Sequence, residues 1–297
     1  MAAIRNSAAA AVLATQQSVA PAREFAFSEV DFQRLAKLAY EYAGISLSES
    51  KQNLIYSRLS RRLRVLKLET FRDYCEYLDT TPSEVENFIN SLSTNHTKFF
   101  REVHHFEHFR AHIADPFGQA VARKPGGRLR VWSAGCSSGE EPYTIAVVLK
   151  REIRDFGAND VKILATDIDT DVLARAAAGE FALAAVDEVP KEYRTCFACA
   201  VGEGSSEKVA MDDDVKSLIA FRRLNLMETW PFHGLFDAIF CRNVMIYFDG
   251  PTKTKLVERF TRQLKPGAFL YIGHSESLVG SHPGLDLVGR TTYRRVA

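Results

Sequence analysis

Leu129-Arg-Val-Trp-Ser-Ala-Gly-Cys-Ser-Ser-Gly-Glu-Glu-Pro-Tyr143 is a short apolar run that breaks into small residues and reopens as a helical pattern at Glu140. A strand, a tight loop and a helix N-terminus in that order bring backbone N–H groups close to a bound ligand. Gly135 and Gly139 permit the turn. Pro142 falls in the first helical turn, where its missing N–H does no harm. The loop is not G-x-G-x-x-G, so by itself it reads equally well as an ordinary βα turn. The residues C-terminal to it decide between the two. Val161–Ala165 is a second strand ending at Asp167, Asp171–Ala178 a helix, and Ile219–Leu224 a strand running into Asn225. Phe236–Phe240 is a strongly apolar strand, Thr252–Leu264 a helix stopped by Lys265-Pro-Gly267, Phe269–Ile272 a strand, and Tyr293–Val296 a last one. Strands alternating with helices predict a doubly wound α/β sheet whose ligand lies beyond the carboxyl ends of its strands. Gly139, Asp167, Asn225 and Arg242 all fall just beyond such ends, which makes the first loop a ligand site.

At 297 residues the chain can bury a sizeable core and is long enough for two domains. A net charge of +1 gives no global pull towards nucleic acid or a membrane surface, so charge arguments must be local. Five cysteines, an odd number, do not make a disulfide framework, and a reducing, cytoplasmic compartment is expected. No apolar run approaches the roughly 20 residues of a membrane span. Arg5, Ala8–Ala14 and Val19-Ala-Pro-Ala22 imitate a signal peptide only loosely, and residues 1–27 read as a flexible tail.

Residues 28–93 read as a small all-α unit. Ser28 and Asp31 open a helix that Gly44 ends. The next helix starts after Ser48 or Ser50, with Leu54, Ile55, Leu59, Leu63 and Leu66 as its apolar stripe. Thr70–Leu78 and Pro82–Leu92 are helical in pattern. Arg58, Arg61, Arg62, Arg64 and Lys67 crowd the second helix. They are either a solvated face balancing acidic neighbours or a docking face for an acidic partner. No aromatics are interleaved at base-stacking spacing, so no nucleic-acid partner is expected. Residues 94–128 read as a loop, a helix over Glu102–Ala111 and a Pro/Gly-containing linker from Asp115. In that helix His104, His108 and His112 share a face, but no cysteine joins them and no H-E-x-x-H is present, so no metal centre is expected. Residues 129–297 form the α/β unit, with a less regular insertion at about 181–216 that contains a hairpin-like turn at 202–206.

An acidic residue ending the second strand is placed to accept both hydroxyls of a ribose, and Asp167 is there. Asp169 is the alternative, or else it caps the next helix. Cys196-Phe-Ala-Cys199 is a lone C-x-x-C pair and reads as incidental, while Cys136 and Cys241 read as small packing residues beside the pocket.

Four blocks together resemble the chemoreceptor glutamate methyltransferases of the CheR type. They are Asn95-His-Thr-Lys-Phe-Phe-Arg101, Ser133–Tyr143, Ala165-Thr-Asp-Ile-Asp169 and Phe236–Phe248 with its Cys-Arg242-Asn243 corner; Gly273-His-Ser-Glu-Ser277 adds a fifth. The resemblance covers about residues 28–297 in the expected order. It implies a helical N-terminal domain, a Rossmann-like S-adenosylmethionine-binding domain with a small β-subdomain, and methylation of glutamates on the cytoplasmic helices of a methyl-accepting chemoreceptor. The products would be glutamate methyl esters and S-adenosylhomocysteine. Carried over by position, cofactor contacts fall on Asn95, Thr97, Arg101, Glu141, Asp167, Asn225, Leu226, Arg242 and Asn243. Arg101 and Tyr247 fall near the transferred methyl, and Arg58, Arg61, Arg62 and Arg64 on the receptor-docking face. In some members the β-subdomain clamps a receptor's C-terminal pentapeptide, and a monomer without membrane insertion is expected. Cys136 departs from the family's small loop residue. The alternatives are a non-catalytic S-adenosylmethionine-binding adaptor and a methyltransferase with another acceptor.

Overall fold

A computed structural model describes residues 23–201, 208–276, 278 and 282–296. Helices α1 (Glu29–Ala43), α2 (Gln52–Leu66), α3 (Phe71–Thr80) and α4 (Pro82–Leu92) form the N-terminal bundle. Ser28 and Asp31 exchange side-chain and backbone bonds at the start of α1, and Thr70 and Asp73 do the same for α3. The bundle closes on Phe32, Leu35, Ile55, Leu59, Leu63, Phe71, Tyr74 and Phe88. Its edge reaches further than the sequence pattern suggests: Phe25 is buried against it, and Ala26 forms a bridge with Thr70. Residues 1–22, the rest of the expected tail, lie outside the described residues. Leu54, at a stripe position of α2 by its spacing, is 42% exposed, since it sits on the outward side of the turn that buries Ile55.

The expected linker from Asp115 is instead helical. Helix α5 (Val103–Phe109) passes through a wider turn at Arg110–Ala114 into α6 (Asp115–Arg123). Pro116 sits in the first turn of α6, which tolerates it, and Val121 is buried.

The α/β unit comprises β1 (Arg128–Ala134), α7 (Glu140–Glu152), β2 (Asp160–Asp167), α8 (Thr170–Ala178), β3 (Glu180–Ala182), α9 (Leu183–Val186), β4 (Phe197–Val201), β5 (Lys208–Met211) and α10 (Asp213–Lys216). It continues with β6 (Ile219–Arg223), β7 (Phe236–Cys241), α11 (Gly250–Gln263), β8 (Leu264–Ile272), β9 (Leu285–Gly289) and β10 (Thr292–Arg295). The main sheet has seven strands in the order β6-β2-β1-β7-β8-β10-β9. Pairs from β6 to β8 are parallel, and β10 is antiparallel to both neighbours. Along β1, Leu129 and Val131 face one apolar layer while Trp132 and Ala134 face the other, as a sheet covered on both sides requires. Between β1 and β7 the strand order reverses, the point where such sheets open a crevice. The insertion is a three-stranded antiparallel sheet, β3-β5-β4. The hairpin-like turn expected at 202–206 lies outside the described residues.

Candidate active site

The loop after β1 and the loop after β7 meet across the reversal point. Gly135 has φ +83°, and a Cβ there would collide with the Val244 side chain, so the two loops pack at a distance only glycine allows. Around them one cavity opens. All of Asn95, Thr97, Arg101, Glu141, Asp167, Asn225, Leu226, Arg242, Asn243 and Tyr247 line it. Ala43, Ile45, Leu92 and Ser93 line it too, and nothing in the sequence pattern points to them. They belong to the ends of α1 and α4, so the helical bundle is a wall of the cavity. The bundle is fixed there by Ser46 N–H donating to Tyr247 O at 2.8 Å, Asn225 Nδ2 to Tyr42 O at 2.6 Å and Tyr40 Oη to Asp249 at 2.9 Å.

The two aspartates divide as their alternatives required. Asp167 lines the cavity and accepts from the backbone N–H of Ser137 at 2.8 Å and of Asp169 at 3.0 Å. Burial pushes its carboxyl up, opposed by those backbone bonds. Asp169 caps α8 by accepting from Asp171 and Val172, and its other oxygen takes Asn95 Nδ2 at 2.8 Å. Asn95 is therefore tied to the end of β2, and Ser137 Oγ holds its carbonyl at 3.3 Å.

A buried charge network floors the cavity. Glu141 accepts from Ser133 Oγ at 2.7 Å and from Arg242 Nη1 at 3.1 Å. Arg242, with 2% of its side chain exposed, also faces Glu102 at 3.3 Å. Glu102 in turn takes His274 Nδ1 at 2.7 Å. Burial pushes the Glu141 carboxyl up, against Arg242 and Ser133. Two carboxyl groups thus share one guanidinium, so acidic side chains outnumber the arginine between them: a surplus of acidic groups. That surplus, with Asp167, suits a ligand that carries an ammonium and a sulfonium. The apolar Ile168, Leu226 and Val244 between them suit its adenosine. The donor set therefore fits S-adenosylmethionine.

Burial opposes the ionised Glu102 carboxylate, but the His274 bond and Arg242 prevail and hold it at about 2. A carboxyl depressed below its unfolded value of about 4.5 lends stability above that pH and loses it as pH falls through 2. Wild-type protein is therefore expected to lose about 2–3 kcal/mol between pH 4.5 and 2 through this group. Glu102→Gln should flatten that part of a urea-unfolding series against pH, and an unchanged slope would refute the assignment.

Of the three evenly spaced helix histidines, His108 and His112 meet on one face, while His104 lies against His105. His105 is wholly buried and bonds Arg290 O and Thr291 Oγ1 at 3.1 and 3.0 Å, while His108 bonds Tyr271 Oη at 3.0 Å and stacks on His112. Burial, with Arg242 beside it, lowers His105 to about 3, so it is neutral. Glu102, His104 and His105 do converge, yet a cation there would lie beside Arg242, whose guanidinium is 3.3 Å from the Glu102 carboxylate. Glu102 is already committed to the ion network through Arg242 and His274. Cys136 and Cys241 are buried beside the pocket with their thiols pushed well up by burial, as packing residues would be. Cys196 is buried and unpaired, and the Cys199 side chain lies outside the described residues.

Among the four arginines of the expected docking face, three have internal partners. Arg62 grips buried Glu84 through Nε and Nη2 at 2.5 Å each. Arg64 pairs with Glu24, and Arg58 bonds Leu92 O and Thr94 Oγ1. Arg61 is exposed, and its neighbours on the same helix face are the exposed Leu54 and Val65.

Comparison with known proteins agrees with this architecture. The CheR methyltransferase all-alpha domain matches residues 30–93, and the CheR methyltransferase SAM binding domain matches residues 95–294. A probable chemotaxis protein methyltransferase of Rhizobium etli is 45% identical over 260 residues, 86% of this chain and 96% of its own. Chemotaxis protein methyltransferase 2 of Pseudomonas aeruginosa is 42% identical over 275 residues, 91% and 95% of the two chains. The chemotaxis protein methyltransferase of Escherichia coli is 39% identical over 272 residues, 90% and 91% of the two chains. No described helix is long and apolar enough to cross a membrane. With both of its domains matched in order across the bundle and the sheet, the chain belongs to the CheR family of S-adenosylmethionine-dependent methyltransferases.

Proposed function

We propose that the protein esterifies glutamate side chains on the cytoplasmic helices of chemoreceptors. The observation that carries this reading is the shared wall: the bundle that bears the basic helix α2 also closes the cofactor cavity through Ala43, Ile45, Leu92 and Ser93. An acceptor helix lying on the bundle brings its side chains to the mouth of that cavity. When bound, S-adenosylmethionine supplies an electrophilic methyl on a sulfonium. Asp167 would hold its ribose, Asn225 and Leu226 its adenine edge, and Glu141 its ammonium. A glutamate side chain in water titrates at about pH 4.3, so an acceptor glutamate is already ionised at neutral pH and no residue of this chain need remove a proton. What the chain contributes is position and a dry site. Arg101, whose Nη1 donates to His96 O at 2.9 Å, and Tyr247 would orient the acceptor carboxylate. An extended receptor tail is expected to add to an edge of the β3-β5-β4 sheet.

The test is labelled S-adenosylmethionine incubated with receptor-enriched membranes, with RNA and with the protein alone. Label should enter receptor protein and leave as methanol on alkaline treatment. Alkali-stable label, or label in RNA, sinks the reading. The orienting role has its own test: Tyr247→Phe should lose turnover while still binding the cofactor, Arg101→Ala should lose turnover at saturating cofactor, and intact turnover would refute it.

Docking is expected to rest on the exposed Leu54, Arg61 and Val65. Arg61→Glu should slow receptor methylation about tenfold at low salt, less so at high salt, with cofactor affinity unchanged. Equal rates at low salt would remove Arg61 from the interface.

A further inference from the structure

The block Gly273-His-Ser-Glu-Ser277 stands out in the sequence, yet none of its residues is among the cofactor contacts or the groups near the methyl. Ser277 lies outside the described residues. Glu276 is 6% exposed and sits at the end of β8, beside the loop that follows β7. Its Oε2 accepts from the backbone N–H of Asn243 and of Gly273, each at 2.7 Å, and its Oε1 accepts from Ile246 N–H at 3.1 Å. Charge-assisted bonds from an anion to backbone N–H groups are short and strong, and here they join two loops that have no strand pairing between them.

The loop so held carries the chemistry. Arg242, Asn243 and Tyr247 line the cavity within one short stretch. Asn243 is in the left-handed region, φ +61°, which asparagine adopts more readily than other side-chain-bearing residues, and Glu276 accepts the backbone N–H of that residue. Gly273 leaves the room for that hold. A Cβ there would lie 2.7 Å from Glu276 Oε2, 2.7 Å from Asn243 Nδ2 and 2.9 Å from Asn243 N. The same block reaches Arg242 from the other side, since His274 bonds Glu102 and Glu102 faces Arg242.

We infer that Glu276 is a positioning residue for methyl transfer, its carboxylate clamping the Arg242–Tyr247 loop in the shape the reaction uses. The inference rests on the methyl transfer proposed above and not on the role given to Tyr247. A clamp is distinguishable from fold maintenance, because a loop out of place lowers turnover in molecules that are folded and still bind ligand.

The experiment uses the full chain with Glu276→Gln, Glu276→Asp and Gly273→Ala, with Tyr247→Phe alongside. S-adenosylhomocysteine titration counts binding-competent sites, and receptor methylation is expressed per site. Glu276→Gln keeps the volume but turns an N–H donor towards N–H donors. It should lower kcat per site on the order of 10- to 100-fold with receptor KM unchanged, and Glu276→Asp should recover part of that loss. Gly273→Ala leaves the carboxylate in place but crowds it, and should act in the same direction even if Glu276→Gln does not fold. Turnover per site within about twofold of wild type in both Glu276→Gln and Gly273→Ala would overturn the clamp. If instead Tyr247→Phe turns over normally while the Glu276 and Gly273 variants do not, the clamp stands and the role given to Tyr247 fails.

Discussion

Replacing Arg242 by Ala is expected to weaken S-adenosylmethionine binding about 100-fold and to lower folding stability by about 3–5 kcal/mol. The guanidinium is buried and bridges Glu141 and Glu102 at 3.1 and 3.3 Å, so its loss leaves two carboxylates facing each other with little water to screen them. Both carboxyls would rise, and the deficit should be largest at neutral pH and shrink as acid protonates them. Cofactor binding suffers because a protonated Glu141 no longer attracts an ammonium. Arg242→Lys should restore only part, since an ammonium lacks the fork that reaches both partners. Calorimetric titration and urea unfolding at neutral and mildly acid pH check both halves. Wild-type affinity in the alanine variant would show that Arg242 is a packing residue instead.

That network also marks where the sequence stops being informative. Glu141 is legible as a cofactor contact through the family's motif, but nothing in the chain order shows that Arg242 already holds it, nor that Glu102 shares Arg242. Glu102 and Arg242 are far apart in sequence and meet because α5 packs on the sheet over β7 and β8, Phe106 on Phe240 and His105 on Tyr271, with Glu102 at its start. Asp167 and Asp169 differ for a local reason that is legible as an alternative: the second is spaced to cap the helix that starts at Thr170. The wall supplied by Ala43 and Ile45 is not legible, because these residues end a helix of the other domain and carry no pattern of their own.

The fold is readable wherever caps and alternation repeat, as at Ser28 and Asp31 or along β1. It misleads where a local rule has an exception. Pro116, Pro125 and the two glycines after it imitate a linker, yet proline is harmless in the first turn of α6. Lys265-Pro-Gly267 reads as a stop, but β8 begins at Leu264 and carries the proline through an irregular stretch, where Phe236 pairs with Leu264 and Ala238 with Phe269. Proline is tolerated in strands at such irregularities. Strand β9 escapes a sequence reading because it is an edge strand with one buried residue, Leu285, and so lacks the alternation that marks a half-buried strand.

Arg62→Ala is expected to lower stability by about 3–5 kcal/mol, although the sequence placed Arg62 with its neighbours on a docking face. Its partner Glu84 is 3% exposed and accepts both arms of the guanidinium, with Tyr74 Oη at 3.2 Å and Asn87 Nδ2 at 3.1 Å completing its shell. The Glu84 bonds and charge hold the Arg62 guanidinium above its ordinary value, against the burial that opposes it. Removing Arg62 strands a buried carboxylate that two neutral donors cannot compensate. Removing Glu84 is milder, because Arg62 retains 23% exposure and can turn towards water. Replacing both by apolar residues of similar size should come close to wild-type stability. Urea unfolding of the three variants gives the ordering, and an Arg62→Ala protein within about 0.5 kcal/mol of wild type would contradict it. The consequence for function is direct: loss of receptor methylation in an Arg62 variant reports on the bundle, whereas the exposed Arg61 on the same helix tests docking without disturbing the wall of the cofactor site.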